Sequence, residues 1–195
     1  MAATLSAMVL AAGLLVAPPA TAHPTPPREC ATPSIDRLQQ WLASGEGATV
    51  PATGSLLVPR HGGYEARVTF VNAEWHVAVV WLGNQFEAQA DLSRSAGFRL
   101  TYSATDDLYV QLRPASHWSG GAQWATVVPS TGGRVVTRFF SFRPEAWAAV
   151  PELGAPAHTY ASALSEARGL VFVGKTPNEL TFRGLRVHRY VPPCR

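Results

Sequence analysis

The stretch GFRLTYSATDDLYVQLR, residues 97–113, decides how the chain is read. Phe98, Leu100 and Tyr102 alternate with Arg99, Thr101 and Ser103, and Leu108, Val110 and Leu112 alternate with Tyr109, Gln111 and Arg113. Successive side chains of an extended strand point to opposite faces, so this period predicts two strands, each with one apolar and one polar side. Between them Thr105, Asp106 and Asp107 supply turn chemistry, because Asp hydrogen-bonds its own backbone and tolerates unusual dihedrals. The expectation is a hairpin whose polar sides gather Arg99, Thr101, Tyr109, Gln111 and Arg113 on one surface.

Working outward, the same punctuation recurs. The chain carries 16 Gly and 16 Pro, and short apolar or alternating runs lie between them. Strand patterns occupy residues 64–71 and 75–82. In the second, Val77, Val79 and Trp81 share one side and His76, Ala78 and Val80 the other, which predicts a strand covered on both faces. Further strands are expected at 86–92, Trp124–Val128, Arg134–Phe142, 169–174 and 179–190, with Gly184 marking a bulge in the last. Residues 129–133 and Thr176-Pro177-Asn178 read as turns, and 145–147 and 161–167 as helical turns. About eight or nine short strands with little helix predict an all-β fold, a jelly-roll β-sandwich.

The N-terminal region has a different character. Residues 1–22 read as a signal peptide: an uncharged apolar run broken at Pro18-Pro19, then Ala20-Thr21-Ala22 as the cleavage signature. The run is shorter than the roughly 20 residues a membrane span needs, so a secreted protein with no membrane span after cleavage is expected. Residues 23–44 form a Pro-rich leader and a short helix, with Ser34 as N-cap and Ile35, Leu38, Trp41 and Leu42 at helical spacing. Residues 45–195 are the sandwich domain. Cys30 and Cys194 are the two cysteines, and in a secreted chain they read as a disulfide closing most of the domain. Such a long loop is worth roughly 4–5 kcal/mol in the chain-entropy model. The formal charge is +3, with Lys175 the single lysine and arginines scattered rather than run together, which argues against nucleic acid as a partner.

From Ala90 to Tyr190 the chain resembles the galactose-binding-like jelly roll, the group that includes carbohydrate-binding modules of secreted glycoside hydrolases and the complex I intermediate-associated proteins. Three pairs of segments carry the resemblance: Ala90-Asp91-Leu92 through Leu112, Trp124 through Phe142, and Gly169 through Val187. It implies a sandwich fold and a bias toward sugar binding, and it transfers no individual ligand residue.

Sugar recognition needs an aromatic face against C–H patches and side chains that hydrogen-bond hydroxyls. Tyr109 is the candidate platform, Arg99, Gln111 and Arg113 the candidate hydrogen-bonding groups, and His117, Trp118 and Trp124 the candidate rim. A solvated sheet face with its arginines paired to carboxylates is the competing reading of the same residues. No catalytic residue or metal ligand is assigned: G-x-S-x-G, H-E-x-x-H and a phosphate-binding glycine loop are all missing from the sequence. Adjacent Asp106 and Asp107 suit a turn, or a structural calcium ion. The expected function is a secreted, monomeric, non-catalytic protein that binds a polysaccharide or other glycan. The alternatives are a small secreted enzyme acting on polysaccharide, or an envelope protein-interaction module. The enzyme would be a hydrolase or would use copper held by a mature N-terminal His23, a device that resembles lytic polysaccharide monooxygenases.

Overall fold

The computed structural model describes residues 41–44, 48–49, 57–61, 63–72, 76–81, 90–117, 122–149 and 154–188. Alternating apolar positions form strands throughout. In chain order these are β1 (Trp41–Ser44), β2 (Ala48–Thr49), β3 (Leu57–Arg60), β4 (Gly63–Phe70), β5 (His76–Trp81), β6 (Gly97–Ala104), β7 (Leu108–Pro114), β8 (Trp124–Val128), β9 (Val136–Ser141), β10 (Ala148–Ala149), β11 (Ala167–Gly174) and β12 (Asn178–Val187). They make two antiparallel sheets. Sheet A runs β1-β5-β11-β7-β8-β10; sheet B runs β2-β4-β12-β6-β9, with β3 added on β4. This is the jelly-roll sandwich that the alternation and turn spacing predict.

The core lies between the sheets. Phe98, Leu100, Tyr102 and Ala104 of β6 face Val110 and Leu112 of β7, and all are fully buried. Phe172 of β11 and Phe182 of β12 meet across the sheets with ring centroids 4.7 Å apart. One end is closed by the helix α1 (Tyr160–Ser165), capped by Thr159, whose hydroxyl accepts a hydrogen bond from Ser162 N at 3.1 Å. Tyr160 packs against Trp124 and Trp147 and donates its hydroxyl to Phe142 O at 2.9 Å. Burial, and then the nearby Glu145, push its phenol pKa up.

Two expectations are corrected. Residues 97–113 are not a hairpin. β6 belongs to sheet B and β7 to sheet A, so the connection through Thr105, Asp106 and Asp107 is an arch that carries the chain across the sandwich. Asn178, at the start of β12, ties the arch down. Its Oδ1 accepts from Thr105 N at 2.9 Å and Asp106 N at 3.2 Å, and its Nδ2 donates to Asp106 O at 2.8 Å. Asp106 and Asp107 serve the same turn, accepting from Asp107 N at 2.8 Å and Ser130 N at 2.6 Å respectively. The second correction concerns the helix expected before residue 45. Its last four residues are β1, an edge strand in register with β5, where Leu42 lies opposite Val79.

Other expectations hold. β5 is a central strand, flanked by β1 and β11, with His76 and Ala78 on one of its sides buried. The turns at 145–147 and 161–167 correspond to a 3-10 turn at Pro144–Ala146 and to α1. The register between β12 and β6 shifts between Phe182 and Gly184, where the glycine bulge is expected. In the segment expected as a strand at 86–92, Ala90 forms an isolated bridge to Ala167 and Leu92 is buried outside any strand. The signal peptide, the Pro-rich leader, His23, Cys30, Cys194 and residues 82–89 lie outside the described residues.

Candidate functional site

The arch has a direct consequence for the expected binding surface. Arg99 and Thr101 point outward from sheet B, whereas Tyr109, Gln111 and Arg113 point outward from sheet A. The residues expected on one surface therefore divide between the two outer faces of the sandwich.

On sheet A the relevant row runs along β7. Gln111 is fully buried, with Val171 of β11 and Ala125 of β8 in register on either side. Arg113 donates from Nε at 3.2 Å and Nη2 at 2.9 Å to Gln111 Oε1. Both nitrogens share one acceptor, which fixes the guanidinium plane along the strand. Burial lowers the Arg113 pKa, yet an arginine stays charged over the whole accessible range. Gln111 Nε2 meets no acceptor among the described residues. Tyr109 and Arg113 are half-buried, and Val127, in register with Tyr109, is exposed. Val171 and Val173 of β11 are also out of solvent, so the middle of this face is closed and its openings lie at Tyr109 and Arg113.

The candidate rim divides too. Trp124 lies in register with the core residue Leu112 and therefore faces inward, packed edge-on to Tyr160, with Nε1 donating to His158 O at 3.0 Å. It belongs to the closed end of the core. His117 ends a 3-10 turn, Ala115–His117, directly after β7. Trp118 lies outside the described residues.

The outer face of sheet B is open and rich in arginine. Glu65 of β4, only 2% exposed, holds Arg67 and Arg183 of β12. Arg67 Nε donates to Glu65 Oε1 at 2.6 Å and Arg183 Nε to Oε2 at 2.8 Å. Burial works to raise the Glu65 pKa, but hydrogen bonds and charge from the two guanidiniums outweigh it and hold the carboxyl below its usual range. Farther along, Arg99 lies opposite Arg186 on one side and Phe139 on the other. Its guanidinium carbon is 6.0 Å from the centroid of the exposed Phe139 ring. In the next row Thr101 and Thr137 share a hydrogen bond at 2.8 Å. Of this set the binding-site reading included only Arg99. For Thr137 and Phe139 the signal was the order Val135, Thr137, Phe139, Ser141, a large aromatic on the polar side of its strand.

Among the described residues no three His, Cys, Asp or Glu side chains cluster as a metal site. None of the helices there is long and apolar enough to cross a membrane.

Comparison with solved structures finds the same fold in two solved modules. The chain is similar to the family 11 carbohydrate-binding module of the cellulosomal cellulase Lic26A-Cel5E of Clostridium thermocellum. They share 11% identity with a TM-score of 0.53, over 83% of this chain and 94% of that one. It is similar as well to the family 11 module from the same organism in complex with a β-1,3-1,4-mixed-linked tetrasaccharide, at 11% identity and a TM-score of 0.55, over 82% of this chain and 94% of that one. No protein-family model and no curated protein sequence matches the chain. At such identity the likeness shows a shared jelly-roll sandwich.

Proposed function

We propose that the protein is a secreted, non-catalytic polysaccharide-binding β-sandwich that works as a monomer and meets its glycan on the sheet A face at Tyr109 and Arg113. The observation that carries this reading is the fixed Arg113–Gln111 pair beside Tyr109. A guanidinium already held in place spends little entropy on ordering when it meets a hydroxyl pair. Tyr109 offers a ring face for a sugar's C–H patch, and Gln111, itself out of solvent, acts by holding Arg113. The likeness of the whole sandwich to a module solved with a mixed-linked glucan tetrasaccharide supports the same class of ligand.

The test is affinity electrophoresis of the intact protein through gels containing soluble polysaccharides, mixed-linkage β-glucan among them. The wild type is expected to be slowed by at least one glycan, and Tyr109→Ala to weaken that retardation about tenfold, the effect of losing one well-placed ring contact. Free migration in every gel, or equal retardation of Tyr109→Ala, overturns the reading. New reducing ends appearing in the polysaccharide would replace it with the enzyme alternative.

A further inference from the structure

We propose that the opposite face of the sandwich, on sheet B, is a second and independent binding site, selective for an acidic polysaccharide. Three adjacent strands contribute one row: Arg186 of β12, Arg99 of β6 and Phe139 of β9. Both arginines are exposed, and among the described residues neither meets a carboxylate. Like charges directly opposite one another weaken the sheet that holds them. Farther along the same face the arginines are treated differently, since Arg67 and Arg183 share the buried Glu65. An unneutralised pair beside a neutralised one is therefore a local property of the row.

The aromatic is held in place as well. A Cβ on Gly97 would come within 2.7 Å of the tip of the Phe139 ring, so the ring lies across backbone that has no side chain. The Arg99 guanidinium carbon stands 6.0 Å from its centroid. The next row adds the Thr101 and Thr137 hydroxyls, 2.8 Å apart, and the bulge residue Gly184, where a Cβ would stand 3.7 Å from the Thr101 hydroxyl.

Together these are a cationic fork, a ring face and hydroxyl groups in one shallow patch. A carboxylate or sulfate takes parallel N–H donors from guanidinium groups. A pyranose ring covers an exposed aromatic, and hydroxyls trade hydrogen bonds with its own. An acidic polysaccharide carries all three complements in a single repeat. Duplex DNA and anionic phosphatidylserine supply the charge without a pyranose ring for Phe139.

The experiment is affinity electrophoresis of the full chain in polygalacturonate, carrying carboxylates, and in dextran sulfate, carrying sulfates, with duplex DNA and anionic phosphatidylserine vesicles as comparison ligands. The double variant Arg99→Gln/Arg186→Gln is expected to bind whichever acidic glycan is preferred at least about tenfold more weakly, the usual effect of losing charge-assisted hydrogen bonds. Phe139→Ala, which leaves the charge unchanged, is expected to lose about fivefold. Arg143→Gln, an exposed arginine off the row, is expected to stay within about twofold. Three results overturn the proposal: equal losses for Arg143→Gln and the double variant, no effect of Phe139→Ala, or DNA or vesicles bound as tightly as both glycans. Tyr109→Ala lies on the other face and is expected to leave this binding unchanged, so failure here and failure of the sheet A reading are separately visible.

Discussion

At the scale of single residues, Glu65 and Gly97 carry more of the sheet B face than their size suggests. Glu65 is a buried carboxylate with two arginines on it, and its depressed pKa makes it a pH-dependent source of stability. The sign follows from the direction of the shift. A carboxyl whose native pKa lies below its unfolded value, about 4.3, stabilises the fold fully above that value and loses its contribution as pH falls through the native one. The arginines are 55% and 40% exposed, so solvent screens the pair and its worth is about 1–2 kcal/mol rather than that of a wholly buried bridge. Urea unfolding is expected to show Glu65→Gln less stable than wild type by that amount near neutrality, the gap narrowing as pH falls below the unfolded carboxyl's value of about 4.3. A gap that persists in acid would mean that the carboxylate's charge does no stabilising. Gly97 meets a steric limit instead. Its φ is 150°, and an added Cβ would sit 2.1 Å from the Phe140 carbonyl oxygen. Gly97→Ala is therefore expected to cost roughly 2–4 kcal/mol in the same assay, from backbone strain and overpacking together.

At the scale of elements, the arch between β6 and β7 is the feature on which the site's layout turns. Alternation in residues 97–113 predicts both strands and both apolar faces, and the structure has them. It is blind to whether consecutive strands pair with each other, because a hairpin and an arch give the same local period. What decides lies 73 positions away: Asn178 fills the inside of the turn and bonds its backbone. For the same reason Arg99 and Tyr109 read as neighbours and are not. Each of the three segment pairs that carried the family resemblance places one strand in each sheet, since β6/β7, β8/β9 and β11/β12 all divide between sheets A and B. At β1, helical spacing of Trp41 and Leu42 yields to the open edge of β5, because an unpaired strand edge accepts any extended segment that brings apolar groups with it. Asn178→Ala tests the arch. It leaves the part-buried Thr105 and Asp106 amides without their acceptor, and a loss of about 1–3 kcal/mol is expected from thermal or urea unfolding. Asn178→Asp keeps an acceptor oxygen but turns the donor to Asp106 O into a second acceptor facing a carbonyl, so it is expected to destabilise the arch as well.

At the scale of the whole molecule, the two faces are separated by the packed core. Sheets stack about 10 Å apart and outward side chains add several ångströms on each side, which puts the Arg99 and Arg113 charges ~20 Å apart. Changes that far apart with no shared partner combine additively. The physics of the two faces also differs. Sheet A offers one already committed guanidinium and a phenol ring, and the binding proposed there would depend on contact area and hydrogen bonds. Sheet B offers uncommitted charge, and the binding proposed there would depend on Coulomb attraction that salt screens over about 8 Å at physiological strength. Raising the salt from about 0.05 to about 0.5 M shortens that range further. In affinity electrophoresis it is expected to weaken retention by acidic polysaccharide at least about tenfold and retention by neutral glucan less than about twofold. The variant Arg99→Gln/Arg186→Gln is expected to flatten the first dependence without moving the second, and Tyr109→Ala to lower the second without flattening the first. Combining the changes is expected to give the sum of the separate losses. If instead Tyr109→Ala changed the salt dependence of acidic-glycan binding, one glycan chain would have to wrap both faces around a sheet edge, and the two-site description would give way to a single continuous track.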